Sequence, residues 1–316
     1  MPTSLTKRRV RPAGARGGPG TAAEKGGRET SLLFEASLLS TAVLLGTNPV
    51  AVKYAVGFVP PLPFAALRFI AAGLALWVIL RLFDPKGRLR REDLGAMAGL
   101  GLVGVALNNV AFTFGVSMTS ASETALVVAT APLWGMLLGF VLGWERPRLK
   151  GLAGVGLALL GVGVIVYRGL GSGGTSLAGD LLVMGAAVCW GSYAVLSLPL
   201  LRRYSPLAVA CYSMLFGGLA VLPLASPGLL RMDWGAVSPG GWGAVSYSAF
   251  LVAAFGFTSW QRGVSRIGAN GMLVYQYLVT LVGVVSGVVL FGEGFGIDQA
   301  VGGAILLAGV YLARRQ

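Results

Sequence analysis

The sequence contains no histidine. That removes the commonest general base and the commonest transition-metal ligand, so a Ser–His hydrolase is excluded. Charge is scarce, at 12% of 316 residues, against roughly 25% in a soluble domain. There are two cysteines, Cys189 and Cys211, both inside apolar runs, which form neither a CxxC pair nor a disulfide framework. No GxxxxGK[ST] loop is present, so this chain is not expected to use ATP. Asp180, Asp233 and Asp298 fall at the ends of apolar runs or between them, which argues against a paired-aspartate intramembrane protease. The ligands for a zinc site are too few. An enzyme is therefore not expected, and no cofactor is.

What is abundant is apolar. Hydrophobic residues make up 55% of the chain and the mean hydropathy is +0.76. A soluble chain of this composition could not cover its own surface. No long polar segment follows residue 33, which argues against a soluble domain hung on an anchor. Residues 1–33 differ in kind, with Lys7, Arg8, Arg9, Arg11, Arg16, Lys25 and Arg28 set among Pro and Gly. No short basic segment runs into an apolar h-region and there is no cleavage site, so residues 1–33 do not read as a signal peptide but as a disordered basic cytoplasmic tail.

A bilayer core takes roughly 20 residues of helix. Spans of that order are expected near 34–56, 61–83, 94–117, 121–143, 149–168, 178–198, 204–225, 241–262, 268–291 and 298–314. The breaks carry turn residues, such as Pro60-Pro61, Asp84-Pro85, Arg146-Pro147 and Ser205-Pro206. With the N-terminus in the cytoplasm, 21 Lys and Arg fall on the inner side and only Arg168 and Arg231 on the outer side. That split favours ten spans with both termini inside. It also accounts for the net charge of +13 without nucleic acid as a partner; the lipid bilayer and a small-molecule substrate are the expected ones.

The second half repeats the first. At a constant offset of 148, Gly115-Val116-Ser117 matches Gly263-Val264-Ser265, Glu145 matches Glu293, and Gly135, Gly139, Gly154 and Gly161 match Gly283, Gly287, Gly302 and Gly309. An offset of 145 aligns Gly46 with Gly191. Five spans per repeat is an odd number, so the second half enters the membrane from the opposite side. The fold expected is an all-α membrane protein of two inverted five-helix repeats, 34–168 and 178–316. In transporters so built, the site lies near the midplane between the halves, which rock to expose it alternately.

Several motifs stand in register. Span 1 has Leu45-Gly46-Thr47-Asn48-Pro49 and Lys53; span 2 has Pro63 and Arg68-Phe69; then come Thr119-Ser120-Ala121-Ser122, Ala131-Pro132 and Gly143-Trp144-Glu145. The second half has Trp190-Gly191, Gly268-Ala269-Asn270 and Gly292-Glu293. The set resembles the ten-helix EamA type of the drug/metabolite transporter superfamily over 34–314. Leu45 stands where the first half of that family usually has Trp, and Thr280 and Leu281 where the second often has Pro. The resemblance implies export of small metabolites, often amino acids, from the bacterial cytoplasm across the plasma membrane, and by itself names no solute.

Polar groups inside spans are expensive unless they face a cavity or a partner. Lys53, Arg68 and Glu123 are expected in one outer layer, either as a structural ion pair of Glu123 with Arg68 or Lys53, or as an outer gate or a binding point for a zwitterion. Asn48, Asn108 and Asn109 lie near mid-depth. Adjacent residues point about 100° apart on a helix, so Asn108 and Asn109 cannot both face lipid, and at least one is expected in a cavity or in interhelical bonds. Pro49 frees a carbonyl one turn back and kinks span 1. Phe112, Trp190, Tyr193, Trp260, Tyr275 and Gln276 are candidates for an aromatic and amide wall around a solute. Gly135, Gly139 and Gly143, with Gly283 and Gly287, are expected to bring spans 4 and 9 together in a core seam. A neutral or zwitterionic metabolite fits these residues best; a multidrug or nucleotide-sugar carrier, or a channel, is the alternative. Monomer and homodimer stay equally open.

Overall fold

The structure is a computed structural model, which describes residues 22–85, 87–143, 149–169 and 176–314. The basic tail over 1–21 and the Trp144-Glu145 end of span 4 lie outside the described residues. The described residues up to Ala36 fall in one unit and those from Ser37 onward in another. All the contacts below belong to the second.

Helix α1 runs Ala22–Ala55 and contains Pro49. It begins ahead of the start at Phe34 read from the sequence, because Ala, Glu, Lys and Leu are strong helix formers whatever their polarity. Next come α2 (Pro61–Phe83), α3 (Arg91–Met118), α4 (Ala121–Val141), α5 (Leu149–Gly169), α6 (Leu177–Leu201), α7 (Pro206–Arg231) and α8 (Pro239–Gly268). At Gly268 the backbone turns to φ 74° and ψ 165°, values open to glycine and costly for other residues. There α8 gives way to α9 (269–291), and α10 follows (Ile297–Arg314). Among the described residues, seven helices are long and apolar enough to cross a membrane: Leu32–Ala55, α2, α3, α4, α6, α7 and α8. Shorter apolar stretches, Ala153–Ile165, Tyr275–Phe291 and Ile297–Leu312, lie in α5, α9 and α10. Exposed Trp77, Val78, Leu82, Phe83, Leu219, Leu224, Phe250, Leu251, Val289 and Leu290 turn outward, a surface suited to lipid rather than water.

The repeat read from the glycines is visible as reciprocal packing. A Cβ on Gly73 of α2 would meet Leu215 of α7, and one on Gly218 of α7 would meet Ile70 of α2. Residues 70 and 73 match 215 and 218 at the 145 offset, so each half offers the other the same surface. Gly161 of α5 likewise lies on Gly302 and Leu306 of α10, while Gly309 of α10 lies on Gly154 and Ala158 of α5. Such i-to-j, j-to-i contacts are the mark of a two-fold relation.

Spans 4 and 9 meet differently from the seam expected. Gly283 and Gly287 of α9 receive Ala125 and Ser122 of α4, whereas Gly135 of α4 lies on Gly191 of α6. Gly283 also faces the carbonyl of Gly46 on α1, whose own absent Cβ leaves room for Val279 and Val282. The glycines of α4 and α9 thus each receive the first helix of the opposite half. Gly139 is buried in α4. Gly143 stands beyond α4 at φ 72°, and a Cβ there would meet no atom of the described residues within 4 Å.

Two wide turns recur at equivalent positions: α3 is π-helical over Leu102–Leu107 and α8 over Tyr247–Phe257. Such bulges re-aim side chains and gather at functional sites. At the opposite end of the bundle from Lys53, Asp93 accepts from Arg203 Nη1 at 2.8 Å and from the Tyr204 hydroxyl at 2.6 Å, and Ser205 Oγ donates to Asp84 at 2.7 Å. These bonds tie the α2–α3 connection to the α6–α7 connection.

Candidate functional site

Helices from both halves line a partly open central cavity. α1 supplies Leu45, Gly46, Asn48 and Pro49; α2 supplies Arg68; α3 supplies Asn108, Asn109 and Phe112; α4 supplies Ala125 and Val128. The second half supplies Ala186 and Trp190 from α6, Phe257 from α8, and Gln276 and Val279 from α9. The prolines shape this space. Pro49 breaks the hydrogen-bond ladder of α1 beside Asn48. α4 tightens at Ala129 and Thr130, whose N–H groups bond three residues back, just before Pro132.

Six residues proposed from the sequence for solute contact line the cavity: Asn48, Asn108, Asn109, Phe112, Trp190 and Gln276. Both adjacent asparagines reach it. Asn108 Nδ2 donates to the carbonyl of Ala186 at 2.7 Å, tying α3 to α6. Asn109 Nδ2 donates to Val105 O at 3.0 Å, within its own widened turn. Asn48 Oδ1 accepts from Ser248 Oγ at 3.1 Å.

Tyr193, Trp260 and Tyr275 stand outside the lining. Tyr193 is fully buried; its ring occupies the space left by Gly104, and its hydroxyl lies 3.1 Å from Ser213 Oγ. It stacks on Trp190 with centroids 5.7 Å apart, and Trp260 packs on the same indole at 5.5 Å. The Trp260 indole N–H is buried with no bond partner among the described residues. Tyr275 is half-buried, one position before the lining residue Gln276. Phe257 escaped the sequence reading yet lies at the centre of the aromatic group, 4.9 Å from Trp190 and 6.1 Å from Phe69. One run of aromatics along α8, with Phe250, Phe255 and Phe257 all present, gave no sign of which faced inward; the widened turn decides it.

The charged layer is redistributed. Arg68 turns into the cavity wall. It is 1% exposed, its Nε donates to Ser248 O at 3.1 Å, and its guanidinium lies 4.8 Å from the Phe69 ring centroid. Lys53 bonds elsewhere, to Glu293 Oε1 at 3.1 Å and to Thr119 O at 3.0 Å. Glu123 pairs with neither cation: it accepts from Thr119 Oγ1 at 2.8 Å and from Gln299 Nε2 at 3.2 Å. Thr119 Oγ1 also lies 2.8 Å from Asp180 Oδ1. The ion pair expected of Glu123 is therefore made by Glu293, which the sequence offered only as a repeat marker after Gly292.

Glu293 caps α4. Its Oε1 accepts from the Ala121 N–H at 2.8 Å, and its Oε2 from the Ser122 N–H and hydroxyl at 2.9 and 2.7 Å. A carboxylate at a helix N-terminus takes up otherwise unpaired donors and meets the positive end of the dipole. Burial pushes this carboxyl up, but the bonds from Ala121, Ser122 and Lys53 outweigh it and hold it below the ordinary carboxylate range. A depressed folded-state value stabilises the protein above the unfolded value. That contribution is lost as the pH falls through the folded one. Replacing Glu293 with Gln is expected to lower the melting temperature at pH 7 and to flatten its fall below about pH 4.5. Melting curves between pH 3.5 and 7.5 check this; parallel curves for both proteins would contradict it.

A family model matches the chain twice, over 33–167 and 177–315, and its description is the EamA-like transporter family. The chain belongs to that family. It is 33% identical over 229 residues to a probable terminal-alkyne amino-acid exporter of Streptantibioticus cattleyicolor, covering 72% of this chain and 76% of the relative. It is 27% identical to the Bacillus subtilis transporter YyaM, over 87% of this chain and 92% of that one. It is 25% identical to a probable amino-acid metabolite efflux pump of Salmonella typhimurium, again over 87% and 92%. One solved crystal structure matches in fold at TM-score 0.64 and 20% identity, over 88% of this chain and 96% of its own. As a member of the family the protein is a multi-pass membrane transporter rather than an enzyme, with a small-molecule substrate and a lipid surrounding.

Proposed function

We propose that this EamA-like transporter carries small metabolites of the amino-acid class out of the cell by alternating access at the central cavity. In this proposal α1 to α10 all cross the plasma membrane as two inverted five-helix repeats, with both termini in the cytoplasm. The observation that carries it is the cavity itself: both halves build it, apolar and aromatic walls dominate, and a few amides and one guanidinium punctuate them. Sites of this kind take drug-sized or smaller solutes. A nucleotide sugar would bring two phosphates to a wall with a single cation.

The two ends of the cavity have different closures. Toward α4's N-terminus, Lys53, Glu293 and the Thr119–Ser122 turn join α1, the α3–α4 turn and the α9–α10 turn. This is the candidate outer gate. Toward the other end, Trp190, Tyr193, Phe257 and Trp260 form a continuous aromatic plug. Asp180, in the first turn of α6, lies beside Thr119, and ten residues at about 1.5 Å each set Trp190 roughly 15 Å deeper. Rocking of one half against the other would open one closure while shutting the other.

Two-sided thiol labelling tests alternating access. With Cys189 and Cys211 replaced by Ala, Val128→Cys places a single thiol in the cavity. A membrane-impermeant maleimide is expected to reach it from either face of oriented vesicles, and excess solute to slow both reactions. Labelling from one face only, in all conditions, would contradict the proposal.

A further inference from the structure

We infer that Arg68 and Gln276 form a carboxylate subsite in the cavity, and that the solute they select carries a net charge of −1. The inference rests on the transporter reading above and narrows its substrate class. Arg68 is 1% exposed and Gln276 3% exposed. Both line the cavity. Each has a buried donor nitrogen without a partner among the described residues, Nη1 on Arg68 and Nε2 on Gln276. A buried donor left unbonded is costly, and an unpaired buried cation more so. The neighbours of Arg68 compensate it only in part. Ser248 O takes Nε, and the rings of Phe69 and Phe64 lie 4.8 and 6.0 Å from the guanidinium carbon. None of the lining residues is acidic. A planar fork of donors, with an amide in the same cavity wall, is an arrangement that a carboxylate completes through charge-assisted bonds.

The net charge of the solute follows from what is missing around it. The zwitterion expected from the sequence needs an acid for its ammonium, and Glu123 was the residue available. Glu123 is instead spent on Thr119 and Gln299, outside the cavity. Pro49 and Pro132 release the carbonyls of Leu45 and Val128 from their helical ladders, but these are dipoles and not charges. In a low-dielectric wall, one fixed cation is neutralised by one anion. With its carboxylate at Arg68, the apolar remainder of the solute meets Trp190 and Phe257. Carboxylic acids lacking a free amine, with an aryl or alkyl body, fit this description: deaminated or N-acylated derivatives of amino acids.

Three probes share one ring and one chain length and differ in charge: 3-phenylpropanoate, phenylalanine and 2-phenylethylamine. Binding is read by the melting shift of detergent-purified protein, and transport by counterflow in liposomes. The propanoate is expected to bind at least about 10-fold more tightly than phenylalanine, the least that burying an ammonium without an acid costs, and the amine not at all. Arg68→Gln is expected to abolish the preference. Arg68→Lys, which keeps the charge and loses the fork, should weaken propanoate binding and keep the order. Gln276→Leu, which leaves the guanidinium in place, should weaken propanoate alone and serves if Arg68→Gln does not fold. Phenylalanine or the amine binding as well as the propanoate overturns the inference and leaves the transporter reading intact. Absence of binding and counterflow for all three, in folded protein, overturns both.

Discussion

Gly191→Val is expected to eliminate folded protein. A Cβ at residue 191 would fall against the carbonyl oxygen of Ala131 and 2.7 Å from the backbone nitrogen of Gly135. Both are backbone atoms on α4 and cannot rotate away. Overpacking of a core costs about 1–3 kcal/mol when side chains can adjust; here helices must separate. Domains hold together by only about 5–15 kcal/mol, and the Gly191 contact joins α6 of one half to α4 of the other. Gly46→Val is expected to act alike, since Val279 O and Val282 lie 2.7 Å from its Cβ position. Gly185→Val is the control. It lies on the same helix with nothing within 4 Å and should leave the protein intact. Size-exclusion profiles of fluorescently tagged protein in mild detergent distinguish the three. A monodisperse peak for Gly191→Val at the height of Gly185→Val would contradict the packing described.

Trp190→Ala is expected to reduce saturable flux by about 100-fold or more while Trp190→Phe retains a measurable part of it. The indole is both cavity wall and keystone: it lines the space and touches Tyr193, Phe257 and Trp260 within 4.9–5.7 Å. A loss of about 2.7 kcal/mol of solute contact corresponds to about 100-fold; the same truncation separately costs about 3–5 kcal/mol of stability if the neighbours do not collapse. Phenylalanine keeps a ring in the stack and so separates loss of a wall from loss of fold. Melting temperature measured beside flux settles which is lost. Undiminished flux in Trp190→Ala would place the solute elsewhere.

Much of the architecture was legible in the chain because it is written in spacing. Apolar length set the helices, Pro and Gly set their ends, and glycines matched at the 148 offset pack on one another, Gly161 on Gly302 and Gly309 on Gly154. The amides were legible for the same reason: a polar side chain at mid-depth has few places to go, and Asn48, Asn108, Asn109 and Gln276 all line the cavity. Pairing was not legible. Lys53 meets Glu293 across 240 residues, and depth alone gave Glu123 an equal claim. Depth fixes a layer, but rotation of each helix about its axis fixes the partner. That rotation depends on π-helical turns and on close packing at Gly46 and Gly191, neither of which has a residue signature. Phe257 was missed on the same account, and Trp260 and Tyr193 stand behind the cavity wall rather than in it.

Counterflow in proteoliposomes tests the central claim most directly, since it needs no driving force and reports a saturable site that reorients. Vesicles are loaded with unlabelled solute and given a trace of label outside, using Trp, Phe, Thr, Ser and Cys beside 3-phenylpropanoate. The expected result is transient accumulation of label for at least one member, saturating with concentration and lost in Trp190→Ala. Flux that rises linearly with concentration and is indifferent to internal solute would mark a channel, and no flux from folded protein would contradict transport through this cavity.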